Sequence, residues 1–323
     1  MGTALRTERL SSDLKFKLAE NEREVWCRCS KLGLTLLVLF LMGAPAVLGQ
    51  TARSLDAQTA GRLKQQIQKG SSEEKRSALS EIRRLRSAEA SSIAVPALRD
   101  ADIMVRATAT ASVVFLPKQE AARALLPLLS DRNEFVRQET AYALGRVGDA
   151  SATADLINLM QRDKSREVRS AAAAALGPIG EVSAVESLLA ILRSRPREDD
   201  EFLRRSAARS IGQIAQIIET GDRSVLTPQN YLPDKYKKLD SSAMSPPGFG
   251  TAVGVLINVL QNTAESDDSR REAAFALGAI GDEKALPTLN RFVSSNDNYM
   301  AEIAREAVIK IENRKKKAAS DKK

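Results

Sequence analysis

The stretch Val136-Arg137-Gln138-Glu139-Thr140-Ala141-Tyr142-Ala143-Leu144-Gly145-Arg146-Val147-Gly148-Asp149 decides how the chain is read, because it recurs. Val168 to Glu181, Leu203 to Ala215 and Ser269 to Asp282 superimpose on it without gaps, each with an arginine after the first position and a glycine eight residues beyond that arginine. From Gly145 the equivalent glycines, Gly177, Gly212 and Gly278, follow at steps of 32, 35 and 66 residues. The last step is one period plus about thirty residues. Degenerate copies run from Lys75 to Leu85 and from Val105 to Leu116, and Asn298 to Ile311 closes the series.

Each copy has the spacing of an amphipathic helix. Val136, Leu144 and Val147 fall on one face with the small Ala141, as do Val168, Leu176 and Ile179. Alanines at 141, 173, 208 and 274 let neighbouring helices approach, and Gly145, Gly177, Gly212 and Gly278 are expected where a helix ends and the chain turns. Pro96 and Pro127 precede the motif valine by nine residues and mark the end of a preceding helix. The spacing predicts seven antiparallel helix pairs: 55–68 with 72–86, 91–99 with 102–116, 119–130 with 133–147, 150–162 with 166–179, 182–194 with 200–218, 250–262 with 268–280, and 283–294 with 297–312.

This pattern resembles the HEAT-repeat family, in particular its short type shared with phycobilin lyases, over about four-fifths of the chain. The resemblance implies an all-α fold, a right-handed α-solenoid in which stacked pairs complete one another's core. It also implies that Asp131, Arg137 and the matching Arg106, Arg169, Arg204 and Arg270 form a structural ladder between repeats rather than an anion site.

Composition removes several function classes. Of 323 residues, 43% are hydrophobic, 28% charged and only 4% aromatic, and there is no histidine. Imidazole-dependent hydrolysis and histidine-ligated metals are therefore excluded. So is the His-Glu di-iron chemistry of deoxyhypusine hydroxylases, which are also HEAT-like. The two cysteines, Cys27 and Cys29, stand just before an uncharged apolar run, Leu32 to Leu48. Arg28 and Lys31 precede that run, and Gly43, Pro45 and Gly49 interrupt it, the layout of a secretory signal cleaved after Ala46 or Gly49. At seventeen residues it is also close to the length of a membrane anchor. No nucleotide-binding glycine motif or Cys/His metal cluster occurs.

The net charge of +8 is concentrated at the ends. Residues 1–50 carry seven Lys/Arg against five Asp/Glu, and 314–323 carry six against one, which leaves +1 for 51–313. A nucleic-acid partner is not expected from so neutral a body.

The chain is thus expected to comprise an N-terminal extension with its export segment (1–49), a solenoid (50–313) interrupted by an inserted loop (220–250), and a basic disordered tail (314–323). Its expected function is that of an exported, non-catalytic scaffold without cofactor that binds another protein. Membrane association through an uncleaved segment, and a role as an enzyme or enzyme-accessory protein related to phycobilin lyases, are the alternatives. Outward positions of the second helices supply the candidate contacts: Tyr142, Arg146, Arg205, Arg209, Arg271 and Phe275. The proline-rich insertion adds Tyr231, Tyr236 and Phe249, as binding anchors or as part of a disordered loop.

Overall fold

The computed structural model describes residues 55–221 and 248–320, so the export segment, Tyr231 and Tyr236 lie outside the described residues. Met1–Arg53 and Ser54–Lys323 separate into two units, and every described residue belongs to the second. Among the described residues, every regular element is a helix.

Fourteen α-helices among these residues form seven pairs. They are α1 (Ala57–Lys69) with α2 (Ser72–Leu85), α3 (Ala88–Ala94) with α4 (Ile103–Ser112), α5 (Lys118–Leu125) with α6 (Glu134–Val147), and α7 (Thr153–Arg162) with α8 (Arg166–Ile179). The rest are α9 (Val185–Arg193) with α10 (Glu201–Thr220), α11 (Ala252–Gln261) with α12 (Asp267–Ile280), and α13 (Leu286–Leu289) with α14 (Asn298–Ser320). Second helices stack in the order α2, α4, α6, α8, α10, α12, α14, while each first helix packs against its own partner, giving the two layers of an α-solenoid.

Local chemistry sets the boundaries. Ser71 and Glu74 form a reciprocal capping box at the start of α2, and Asp56, Ser87, Asp102, Asn133, Ser165 and Ser266 cap six further helices. Pro96 and Pro127 tighten the ends of α3 and α5 into 3-10 turns, Val95–Arg99 and Leu126–Ser130. Leu144, Leu176, Ile211 and Leu277 are buried in one continuous core with the four alanines at 141, 173, 208 and 274.

Three expectations are corrected. Gly145, Gly177, Gly212 and Gly278 do not make the turns; Gly148, with φ of 66°, does so after α6, three residues later. The earlier glycine is small because the next helix presses on it: a Cβ at Gly145 would stand 2.8 Å from Ala175 Cα, and one at Gly278 would stand 2.8 Å from Ala307 Cα. Residues 314–320, expected in a disordered tail, are helical, since α14 continues to Ser320. Arg314 is buried there, donating to the Ile280 and Ala279 carbonyls at the end of α12 and pairing with Glu219 of α10. Phe249, expected as a loop anchor, is 1% exposed and joins the core where α11 begins.

Candidate interaction face

A ladder of ion pairs between successive repeats fixes the second helices that carry the face. Arg106 of α4 donates to both carboxylate oxygens of Asp131, at 2.9 and 3.1 Å, and to the carbonyls of Asp100 and Ala101 in its own turn. Arg137 does the same one repeat later, reaching Asp163 at 2.7 and 2.9 Å. Lys75–Asp100 at 2.6 Å precedes them, and Arg204–Glu265 and Arg271–Asp297 follow. Each of Asp100, Asp131, Asp163 and Asp297 also accepts the backbone N–H two residues ahead, as Asp131 does from Asn133 at 2.8 Å. One side chain thereby closes its own turn and receives the preceding repeat. Burial acts to raise the Asp131 carboxyl. The Arg106 hydrogen bond and charge, with the Asn133 N–H, outweigh it and hold the group below the ordinary aspartate value. Asp163 and Asp297 follow the same balance with Arg137 and Arg271.

Two framework arginines depart from the pattern: Arg169 and Arg270 donate to the Met160 and Leu260 carbonyls instead of the next repeat's acid. In the last repeats the neighbouring Arg271 takes over, at 2.9 Å from Asp297.

The outward positions differ between the two halves of the stack. On α6, Phe135, Glu139, Tyr142 and Arg146 recur at helical spacing along one face. Phe135, Tyr142 and Arg146 are exposed, Tyr142 by 42%. Arg146 enters no ion pair or hydrogen bond among the described residues. Glu139 is half-buried, and burial pushes its carboxyl up against the lowering charge of Arg83. On the adjacent α4, Met104 is exposed, and in the turn that follows α4 the half-buried Phe115 ring lies 5.6 Å from the Arg86 guanidinium. Ala174 and Pro178 of α8 continue the face with little relief.

The second half is ionic and closed. Arg205 pairs with Asp268 at 2.8 Å, Arg209 with Glu272 at 3.1 Å, and Arg271 with Asp268 and Asp297. These three candidate arginines are therefore inter-helix ties that remain partly exposed. Glu272 is buried, which pushes its carboxyl up to about 7, with the charges of Arg209 and Arg205 opposing the shift. Phe275, expected as an outward contact, is a correction: it is 1% exposed. A Cβ on Gly212 would lie 2.7 Å from its ring, so the ring occupies the room that this glycine leaves.

One feature is not anticipated from the repeat columns. Met104, Phe135 and Phe202 all stand two residues before the framework arginine and are exposed, Phe202 by 70%; Tyr299, near the start of α14, is exposed as well. The signal for it is their phase, with Phe135 seven residues from Tyr142 on the same helix. Among the described residues, no group of three His, Cys, Asp or Glu side chains forms a metal-holding cluster.

The family model for HEAT repeats matches residues 61–144 and 122–212, and that for the PBS lyase HEAT-like repeat matches 269–295. No curated protein matches the chain. Similar solved structures include the complex of CpcE and CpcF of phycocyanin lyase from Nostoc sp. PCC7120. It is 19% identical over 85% of this chain and 100% of that one, with a TM-score of 0.45. Human deoxyhypusine hydroxylase in complex with glycerol is 19% identical over 79% and 96%, with a TM-score of 0.35.

Proposed function

From the premise that this chain belongs to the HEAT-repeat family, we propose that it is a non-catalytic scaffold whose second-helix face, centred on α6, binds another protein. The observation that carries the reading is the exposed stripe of Phe135, Tyr142 and Arg146, beside Met104 on α4. Aromatic and arginine side chains dominate the energetics of protein interfaces: the rings bury much area at a small entropic cost, and the guanidinium offers five donors in a fixed fork. The arginines of the second half are held by internal acids and serve the stack instead. The proposal includes export directed by Leu32 to Leu48.

A photo-crosslinking residue at position 142, compared with one at the exposed Asp155 on the first-helix layer, tests the face in cells. Capture of one protein from position 142 alone, lost on Arg146→Glu, is the expected result. Equal capture from both positions would remove the assignment. Fractionation with N-terminal sequencing tests export, and an intact Cys27 in cytoplasmic protein would refute it.

A second reading is favoured by the match of residues 269–295 to the PBS lyase HEAT-like repeat: an accessory to chromophore attachment on a pigment protein. Bilin attachment to a phycobiliprotein subunit, assayed with and without this chain, separates the two readings.

A further inference from the structure

On the first-helix layer, away from the face just described, a cleft of about 710 Å³ opens between the ends of α3 and α5. This is the size of sites that enclose a drug-sized ligand or a few side chains. Its floor is apolar, formed by Val95, Leu98 and Leu128 between Pro96 and Pro127. The two prolines hold equivalent positions in consecutive repeats and turn both helix ends into 3-10 geometry.

The charges at the cleft are unbalanced. Arg106 and Asp131 also line it, but they satisfy each other through two hydrogen bonds. Arg99 and Arg123 are exposed at the same cleft and enter no ion pair or hydrogen bond among the described residues. Two uncommitted guanidinium groups over an apolar floor select a ligand with carboxylates beside a large apolar side chain. The corresponding cleft one repeat later, about 320 Å³, is lined by the exposed Asp155 together with Arg162 and has no such excess.

We propose that the cleft between α3 and α5 docks an acidic peptide segment of a partner protein. An apolar residue of the segment seats on Leu98 and Leu128, and its flanking carboxylates engage Arg99 and Arg123. The near-neutral body and the apolar floor favour a peptide over a polyanion such as nucleic acid. The site stands on the first-helix layer and does not depend on the α6 face being occupied.

The test is fluorescence anisotropy of the full chain with a short fluorescein-labelled peptide that alternates Leu or Phe with Asp or Glu. Two control peptides replace the acids by Lys or the apolar residues by Ser. Saturable binding of the acidic apolar peptide is expected, weakening with added salt and falling at least about tenfold in Arg99→Glu/Arg123→Glu. Both arginines are exposed, so that variant should keep the parent melting temperature. Ala124→Trp, which fills the cleft without adding charge, is expected to abolish binding; if it unfolds, the double variant decides. Equal binding of the Lys peptide, or no saturable binding, overturns the proposal. So does binding that survives the double variant but is lost on Tyr142→Ala, which would move the peptide to the other face.

Discussion

Arg204 of α10 and Glu265, the residue before the cap of α12, stand on opposite sides of the insertion and meet inside the solenoid, each side chain 2% exposed. The guanidinium donates to both carboxylate oxygens and to the carbonyls of Ile191, Leu192 and Ser194. It binds the end of α9, in its own repeat, to the turn of the next. The framework thus closes across the point where the sequence period is broken, and α10 and α12 stack directly.

A buried ion pair of this kind fails asymmetrically. Glu265→Ala leaves an enclosed cation without its partner and is expected to cost about 3–5 kcal/mol. Replacing both partners, Arg204→Met with Glu265→Leu, removes the unpaired charge and is expected to recover most of that loss. Urea unfolding of the two variants checks this; equal destabilisation would mean that the carbonyl contacts of Arg204, rather than its charge pairing, hold the junction.

Glycines that look alike in sequence should respond in opposite directions. Gly61 lies inside α1, and nothing stands within 4 Å of the place a Cβ would take, so Gly61→Ala is expected to stabilise by up to about 1 kcal/mol. Gly145 lies inside α6 against Ala175, where a methyl group must push the two helices apart, so Gly145→Ala is expected to destabilise by about 1–3 kcal/mol. Thermal melts of both variants read the signs directly.

The helix pairs are legible in the sequence because each repeat writes its own boundaries. In α4, α6 and α8 an acid two residues before a capping Asp, Asn or Ser starts the second helix, as in Asp131-Arg132-Asn133, and a glycine with positive φ follows α6, α8, α10 and α12. The face is less legible, because matching columns do not have matching neighbours. Tyr142 and Phe275 share a register, yet only Phe275 has a glycine, Gly212, facing its ring from the preceding helix. Phe249 and Arg314 are hard to place for a related reason: composition marks their surroundings as loop and tail, while their own side chains fit into the core and onto a helix end. Arg99 and Arg123 give no signal because first helices lack the repeated motif.

The pH dependence has two limbs of opposite cause. The ladder aspartates have carboxyls held below the ordinary value of 3.8, so their stabilisation is present above that pH and is lost as pH falls through the lower folded values. Glu272 is raised from 4.5 to about 7 by burial, so folding binds an extra proton between those values and stability declines as pH rises through them. The shift corresponds to roughly 3 kcal/mol at most. Glu272→Gln is therefore expected to gain on the parent as pH goes from about 5 to about 8. Melting temperatures of both proteins at the two pH values test it, and a constant difference would show that Glu272 does not titrate in this range.

Leu144 and Tyr142 sit two residues apart on α6 and point to opposite environments, the first fully buried and the second 42% exposed. Leu144→Asp places a carboxylate in the core between α6 and its neighbours without a partner, and is expected to cost several kcal/mol, on the order of 3–5, or to prevent folding. Tyr142→Ala removes a ring that the stack does not enclose, so its effect on stability is expected to stay within about 0.5 kcal/mol. If the α6 face binds a partner, the same change should reduce crosslinking through a probe at the exposed Phe135, on the same stripe, by a large factor. Melting temperature and crosslink yield together distinguish the outcomes. Loss of both in Tyr142→Ala would make the ring structural, and loss of neither would leave the α6 stripe without a role in binding.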